Sequence, residues 1–505
     1  MWRIKSLDAV LATAEKKSLH RSLGPVQLTM LGIGSVIGTG IFVLTAEAAQ
    51  KAGPGMLLSL VLAGGVSAIA ALCYAELSAM VPVSGSAYTY SYAVMGELVA
   101  WLVGWALILE YAVAASAVSV GWSGYIAGLL AHLPHPIFIP RALAAGPYAG
   151  GMVNLPAVLI ALAITTLLVA GMRASATFNA ALVTLKLAAL AAFVWLTLPA
   201  MRSGNFHPFA PLGGSGMIGA AASIFFAYVG FDTVSTAAEE TRNPQRNLPI
   251  GLIASLVFCT LIYLLVAAGA IGSLGAQPVF GPHGEVLAPG SLALQARCES
   301  FSSLPLVCSN EALAHVLRSI HHPLMGYVLG IVAGFALPTV ILMTMYGQTR
   351  IFFAMSRDGL LPEILSRVHP RYRTPHIVTW ITGLGVAFAA AFLPVGQLAD
   401  ISNSGTLFAF AAVSLAVMIL RRTQPDRARP FRAPAVTLFG ALSVIGCTLL
   451  FFFLPWQAKL LFPIWSGIGL VFYFSYGYRH SQVGRGVIEV PELDKDAPAG
   501  PMGTS

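Results

Sequence analysis

Four glycines in nine residues, Gly32-Ile33-Gly34-Ser35-Val36-Ile37-Gly38-Thr39-Gly40, lie inside an apolar segment running from about Val26 to Ala49. Each glycine costs a helix interior about 1 kcal/mol against alanine. In lipid, a loosened backbone must find partners for its N–H and C=O groups, and it persists only where protein or a water-filled cavity covers it. The stretch therefore predicts a helix interrupted at mid-membrane depth, a place where binding sites form. Close helix packing through Gly34-x-x-x-Gly38 is the competing explanation. A half-helix beginning at Thr39 presents unpaired N–H groups and the positive end of its dipole, which suit a carboxylate. A half-helix ending near Val36, or near Val229 in a later segment, leaves carbonyls that suit an ammonium group. A small molecule carrying both groups is an α-amino acid.

Ionisable residues inside apolar segments supply further chemistry. Lys186 stands about ten residues from one end of its segment, roughly 15 Å deep at 1.5 Å per residue. That is too deep for its stem to snorkel to the surface. A bare ammonium there costs about 2.5–3.5 kcal/mol. Lys186 is therefore expected to face the bundle interior, as a proton carrier or as a fixed structural ion pair. Glu110, in Leu107-Ile108-Leu109-Glu110-Tyr111, is the candidate for a second proton site or for recognising a cationic side chain. A carboxylate held between helices is the bland alternative. Asp232, next to Gly230 and Phe231, suits an N-cap for the helix that follows a break. Asp400, Ser402 and Asn403 read as a cap at the start of their own segment. Glu76, Glu239 and Glu240 lie near segment ends and read as gate or surface charges.

The elements that must position these residues are membrane spans. The chain of 505 residues is 57 % hydrophobic and 10 % charged, against roughly 25 % charged in soluble domains. Apolar runs near 20 residues recur along it, each long enough to cross a hydrocarbon core. Twelve spans are predicted, at about 26–49, 56–80, 95–127, 153–172, 176–200, 216–240, 248–273, 323–351, 376–394, 401–421, 433–454 and 458–478. An even number places both termini on one side. Of the 28 Lys and Arg residues, Lys51, Arg141, Arg202, Arg297, Arg318 and Lys459 fall on the opposite side, and Lys186 lies within a span. The rest share the side of the termini, which makes that side cytoplasmic. The net charge of +8 thus reflects topology and not nucleic-acid binding. The first run is too long for a signal peptide and lacks a cleavage site. The tail from Val487 is polar and reads as disordered.

Cys73, Cys259 and Cys447 fall within spans and read as buried hydrophobes. Cys298 and Cys308 share the long outer loop, where an oxidising compartment permits a disulfide; two free thiols are the alternative.

The sixth span, Gly216-Met217-Ile218-Gly219-Ala220-Ala221-Ala222-Ser223-Ile224-Phe225-Phe226-Ala227-Tyr228-Val229-Gly230-Phe231-Asp232-Thr233 and onward, carries a glycine and an acid past its middle. Spans 1 and 6 both invite a break, and five helices separate their starts. They therefore run in opposite directions, which is the signature of a five-plus-five inverted repeat with the site where the broken helices meet. The organisation read is a cytoplasmic segment 1–25, a first repeat 26–200, and a second repeat 216–421 with an outer loop 273–322. Two further helices over 433–478 and a cytoplasmic tail 479–505 complete it. The fold class is all-α: twelve transmembrane helices, with helices 1 and 6 broken.

Gly32-x-Gly34-x-x-x-Gly38-x-Gly40-Ile41-Phe42, Phe226-Ala227-Tyr228-Val229-Gly230-Phe231-Asp232 and Glu239-Glu240-Thr241-Arg242-Asn243-Pro244 together resemble the amino acid–polyamine–organocation superfamily. Within it the sequence is most similar to bacterial members of the cationic amino acid transporter family. Gly347-Gln348-Thr349-Arg350 and Met355-Ser356-Arg357-Asp358-Gly359-Leu360-Leu361-Pro362 fit the same family, and the likeness covers about 20–480. It implies that the substrate carboxylate meets N–H groups around Gly38, Thr39 and Gly40. The amine would meet carbonyls of Val36, Phe226, Ala227 and Val229, with Gly34, Gly230 and Asp232 supporting the breaks. Spans 3 and 8 would wall the site. It implies that Lys186 stands where sodium-coupled relatives bind an ion, so that its protonation replaces sodium. The implied activity is proton-coupled uptake of a cationic or small neutral L-amino acid by alternating access, in a bacterial inner membrane. Amino acid, proton and lipid are the partners, with no cofactor and no nucleic acid. Glu110 tilts the expectation toward a cationic substrate. The long cysteine-bearing loop before span 8 departs from the family pattern. An exchanger is the nearest alternative. A membrane enzyme is disfavoured, because the sequence has no HExxH, GxSxG or P-loop. A channel is disfavoured because no repeated filter sequence occurs.

Overall fold

The computed structural model describes residues 3–5, 7, 23–83, 86–171, 176–372 and 374–486. The polar tail from Val487 lies outside the described residues. So do Lys16, Lys17, Arg21, Arg173, Arg373 and Lys495 of the charge reading, and the Glu239 side chain.

The first span is in three pieces: α1 (Pro25–Val36), α2 (Thr39–Phe42) and α3 (Leu44–Ala52). Pro25 suits the first helical position because its missing N–H would be unpaired there anyway. Gly53, at φ +61°, reverses the chain into α4 (Met56–Met80). A short helix that hydropathy does not mark, α5 (Ser86–Val94), leads into α6 (Glu97–Ala131). There follow α7 (Leu155–Val169), N-capped by the Asn154 side chain, and α8 (Ala176–Thr197), which carries Lys186. The sixth span is α9 (Gly213–Ile224), a tight turn over Phe225–Tyr228, extended backbone, and α10 (Thr233–Thr236). Then come α11 (Pro244–Leu274), α12 (Leu292–Cys298), α13 (Ala312–Ser319), α14 (Pro323–Arg357), α15 (His376–Phe392), α16 (Val395–Thr423), α17 (Val436–Phe453) and α18 (Trp456–Phe472).

Among the described residues, nine helices are long and apolar enough to cross a membrane, and α1, α7 and α15 are shorter apolar helices. Strand pairing there is confined to isolated bridges, one of which joins Leu23 to Thr241. The chain is an integral, multi-pass membrane protein. Its central helix is α6, packed along both α14 and α16. α18 lies against α6 through stacked rings, with Trp105 and Trp465 centroids 4.9 Å apart.

Opposite the face where Leu23 meets Glu240, the loop after α11 folds over the bundle. Cys298 and Cys308 are bridged, with Cα atoms 5.8 Å apart. The Gln50 side chain at the end of α3 holds this loop by hydrogen bonds with Val279 and the Leu287 carbonyl. Glu311 packs on Gly128 of α6 and pairs with Arg318. Burial pushes its carboxyl up, while Arg318 and His132 pull it back.

Candidate functional site

Helix α1 ends where Ile37 turns extended (ψ 93°) and Gly38 takes φ −144° and ψ −144°. The glycines here serve close approach, not a left-handed turn. A Cβ on Gly40 would stand 2.3 Å from Ala227 Cα, so the two interrupted spans touch backbone to backbone at that point. A Cβ on Gly34 would stand 2.7 Å from Val183 of α8, so packing and interruption both make use of this stretch. In the sixth span, Gly230 has φ +113° and lies against the Ser35 carbonyl, which no L side chain would tolerate well.

The groups freed by the breaks are shared among named partners. The Lys186 ammonium, 1 % exposed, donates to the Gly34 carbonyl at 3.1 Å and the Ile37 carbonyl at 3.0 Å. A cation is thereby set at the negative end of α1. The Tyr263 hydroxyl donates to the Val36 carbonyl at 2.8 Å. At the end of α9, Asn403 Nδ2 donates to the Ala222 and Ser223 carbonyls at 2.8 and 2.9 Å. Neither Tyr263 nor Asn403 could be assigned this job from sequence. Asn403 was at least visible as a polar residue in an apolar run, whereas Tyr263 carried no signal.

Two capping expectations need correction. Asp232 makes no side-chain cap to α10. It sits in right-handed helical backbone, and its carboxylate instead accepts the Tyr111 hydroxyl at 3.1 Å. Asp400, Ser402 and Asn403 do not open a helix either: Pro394 precedes α16, and the three lie inside it. Asp400 instead pairs with Lys51 of α3 at 3.2 Å, and both contact the Ser223 hydroxyl of α9. Glu110 is fully buried on α6 against Gly405, with the Thr406 hydroxyl beside it. Among the described residues neither of its carboxylate oxygens has a hydrogen-bond partner.

A cavity of about 30 Å³ lies between the breaks, lined by Gly38, Thr39 and Gly40 on one side and Phe226, Val229 and Gly230 on the other. Ser35, Val36 and Thr233 also line it, and α6 and α14 wall it with Ala114 and Val118 and with Val340, Met343 and Thr344. The Tyr111 ring lines it, but Glu110 does not. No residue lining it is acidic. The buried Thr39 hydroxyl has no protein partner there. This cavity abuts a larger one of about 410 Å³ on the Leu23 face, with Ser35, Thr233 and Met343 common to both. A third, of about 470 Å³, lies under the cysteine-bridged loop and has no lining residue in common with the central one.

A protein-family model described as amino acid permease matches residues 23–473. The chain belongs to the amino acid permease family. It is thus an amino acid transporter and not an enzyme. The permease is 43 % identical to a branched-chain amino acid permease of Bacillus subtilis over 96 % of this chain and 99 % of that one. It is 41 % identical to a methylthioribose transporter of the same species, over 95 % of this chain and 98 % of that one. A vacuolar cationic amino acid transporter of Arabidopsis thaliana is 33 % identical over 84 % of the permease and 67 % of its own length.

Proposed function

We propose that the permease is a proton-coupled importer of neutral, aliphatic L-amino acids that works by alternating access. In this reading twelve spans cross the membrane with both termini in the cytoplasm. Residues 26–200 and 216–421 form the inverted repeats, and 433–478 lie outside them. The Leu23 face is cytoplasmic and the cysteine-bridged loop is external.

The observation that carries the reading is the pairing of the two breaks around one cavity. The N–H groups of Gly38, Thr39 and Gly40 face the substrate carboxylate from the positive end of α2 and α3. The Ala227 and Val229 carbonyls face its amine, with Phe226 alongside. The Val36 carbonyl keeps a second lone pair for the amine beside its bond from Tyr263. Around the side chain, Ala114, Val118, Val340 and Met343 offer apolar contact beside the uncharged Tyr111 and Thr344. This overrides the tilt toward a cationic substrate, since Glu110 stands outside the cavity, and it agrees with the substrate class in the name of the 43 % identical relative. Lys186 and Glu110 are the proton-carrying groups. Lys186 holds α1 to α8 more strongly when charged, because its bonds to the Gly34 and Ile37 carbonyls are then charge-assisted, and more weakly when neutral.

The central cavity abuts the cytoplasmic one, while the Lys51–Asp400–Ser223 cluster ties α3, α9 and α16 on the outer side. That arrangement suits a state closed outward. Purified permease in proteoliposomes, screened with the twenty labelled amino acids and with methylthioribose, tests the reading. Accumulation of valine, leucine or isoleucine under an acid-outside gradient is the expected result. Accumulation of methylthioribose alone, or of arginine and lysine in preference, would overturn the substrate class. One-for-one exchange with no response to the gradient would make the permease an exchanger.

A further inference from the structure

The cavity of about 410 Å³ on the Leu23 face begins at the central cavity and ends at two opposite charges. On α14 its lining residues are Met343, Tyr346, Gly347 and Arg350; on the sixth span they are Thr233, Thr236, Ala237 and Glu240. Both sets fall at i, i+3, i+4 and i+7, the spacing of a single helix face. Met343 and Thr233 also line the central cavity. Each stripe therefore leads away from it for two turns, about 10 Å on α14. The start of α1 makes the third wall, through Gln27, Met30 and Leu31. Gln27 is exposed and the Glu240 side chain is 35 % exposed, so this end of the cavity reaches the protein surface.

The two charges meet there. Arg350 Nη2 pairs with Glu240 Oε1 at 3.3 Å. The guanidinium is also positioned independently of Glu240. Its Nη1 donates to the Thr236 carbonyl at 3.0 Å, its Nη2 to the Tyr346 hydroxyl at 2.5 Å, and its carbon lies 4.4 Å from the centre of the Tyr346 ring. Glu240 is set from the other side, because its backbone carbonyl accepts the Leu23 N–H at 3.0 Å. A pair this exposed gains little from its own contact and opens readily. Among the described residues, no other charged side chain lines the cavity, and Met30, Leu31, Leu168 and Leu342 give it an apolar wall.

We propose that Arg350 and Glu240 form a second amino-acid site, a cytoplasmic exit station that the substrate occupies on leaving the central cavity. The guanidinium takes the carboxylate and the Glu240 carboxylate takes the ammonium, so one ion pair is exchanged for two. The apolar wall receives the aliphatic side chain. The central site holds the same zwitterion by backbone dipoles; the exit station holds it by side chains that water reaches. The inference rests on the reading above, of an aliphatic amino acid carried toward a cytoplasmic Leu23 face.

The test uses Arg350→Gln and Glu240→Gln, with Arg350→Lys, which keeps the charge but not the fork, should Arg350→Gln fail to reach the membrane. Counterflow of labelled valine at equal pH is measured in right-side-out vesicles and in everted vesicles, which present the Leu23 face to the medium. The ratio of everted to right-side-out KM is expected to rise about tenfold in each glutamine variant, the change that one lost charge-assisted bond gives, and by less in Arg350→Lys. Isovalerate, which is valine without its amine, is expected to inhibit everted vesicles of Glu240→Gln more strongly than those of the wild type, because Arg350 then has no competing carboxylate. An unchanged ratio would overturn the station. Equal changes at both faces, with isovalerate no stronger, would also overturn it, because they mark a latch between α14 and the sixth span. A rise confined to right-side-out vesicles would overturn the sidedness and with it the exit role. Wild-type vesicles without saturable valine counterflow would overturn the aliphatic reading itself, and this station with it.

Discussion

Lys186→Met keeps most of the stem and removes the ammonium. Two charge-assisted hydrogen bonds go with it, to the Gly34 and Ile37 carbonyls at 3.1 and 3.0 Å. Each bond of this kind contributes about 1.5–3 kcal/mol. Burying an ammonium opposes them by several kcal/mol. The two effects are of the same size and opposite sign, so the variant is expected to fold and to elute from a sizing column as the wild type does. Its transport should differ sharply. One co-transported proton supplies about 1.36 kcal/mol per pH unit, which corresponds to about tenfold accumulation. Wild-type permease in proteoliposomes, with the outside one pH unit more acid, is expected to concentrate valine up to about tenfold. Lys186→Met is expected only to equalise it. The assay is the steady-state ratio of labelled valine, inside to outside, at zero and one unit of gradient. A ratio in the variant that still rises about tenfold with the gradient would refute the assignment of Lys186 to coupling.

Gly40→Ala places a Cβ 2.3 Å from Ala227 Cα; overpacking of this kind costs about 1–3 kcal/mol, and uptake should fall at least about tenfold, while Gly65→Ala, whose Cβ would meet nothing within 4 Å, should transport normally. Val340→Ala widens the wall opposite Gly38, where a Cβ would lie 3.4 Å from Val340 Cγ1. Competition assays should show preference moving toward larger side chains by about tenfold or more, the discrimination that methylene-sized changes give. Glu76 is 1 % exposed and pairs with both Arg421 and Arg429 while accepting from the Ala433 N–H. Glu76→Gln leaves the guanidinium groups without their counter-charge, a loss of about 3–5 kcal/mol, and a melting curve in detergent that matches wild type would contradict that.

What could be read in the sequence was whatever one segment decides alone. The glycine run is a poor helix by its own propensity, and it breaks. Lys186 sits too deep to reach water, and it turns inward. Partners contributed by distant helices were not legible. Tyr263 caps Val36 across 227 residues, and nothing about a tyrosine on α11 announces it. Asp232 looked like a cap because Asp is a good one locally, but a buried Tyr111 hydroxyl from α6 took its carboxylate. The start of α16 was misplaced because hydropathy rises only after Asp400, whereas Pro394 sets the helix boundary six residues earlier. Glu110 was drawn toward the substrate by its charge, yet helix phase turns Tyr111, its neighbour, to the cavity and leaves Glu110 against α16.

Breaking a helix inside a membrane frees backbone groups on both sides of the gap, and each must be satisfied. Following them one at a time isolates what a ligand has to supply. Gly34 and Ile37 give their carbonyls to Lys186, Val36 to Tyr263, and Ala222 and Ser223 to Asn403. Phe42, past the second break in the first span, gives its carbonyl to Tyr125 at 2.8 Å. Among the described residues, the Gly38 N–H and the Val229 carbonyl have no such partner and border the same cavity. The donor stands on one wall and the acceptor on the other, and Thr39, whose buried hydroxyl has no protein partner among the described residues, is on the donor's wall. A neutral sugar could meet some of them, but only a molecule that is anionic at one end and cationic at the other matches the helix ends in charge as well as in hydrogen bonding. Replacing the valine carboxylate by an amide, or its amine by hydrogen, should therefore each weaken competition for uptake, and the two losses should be comparable because each removes one charge-assisted set.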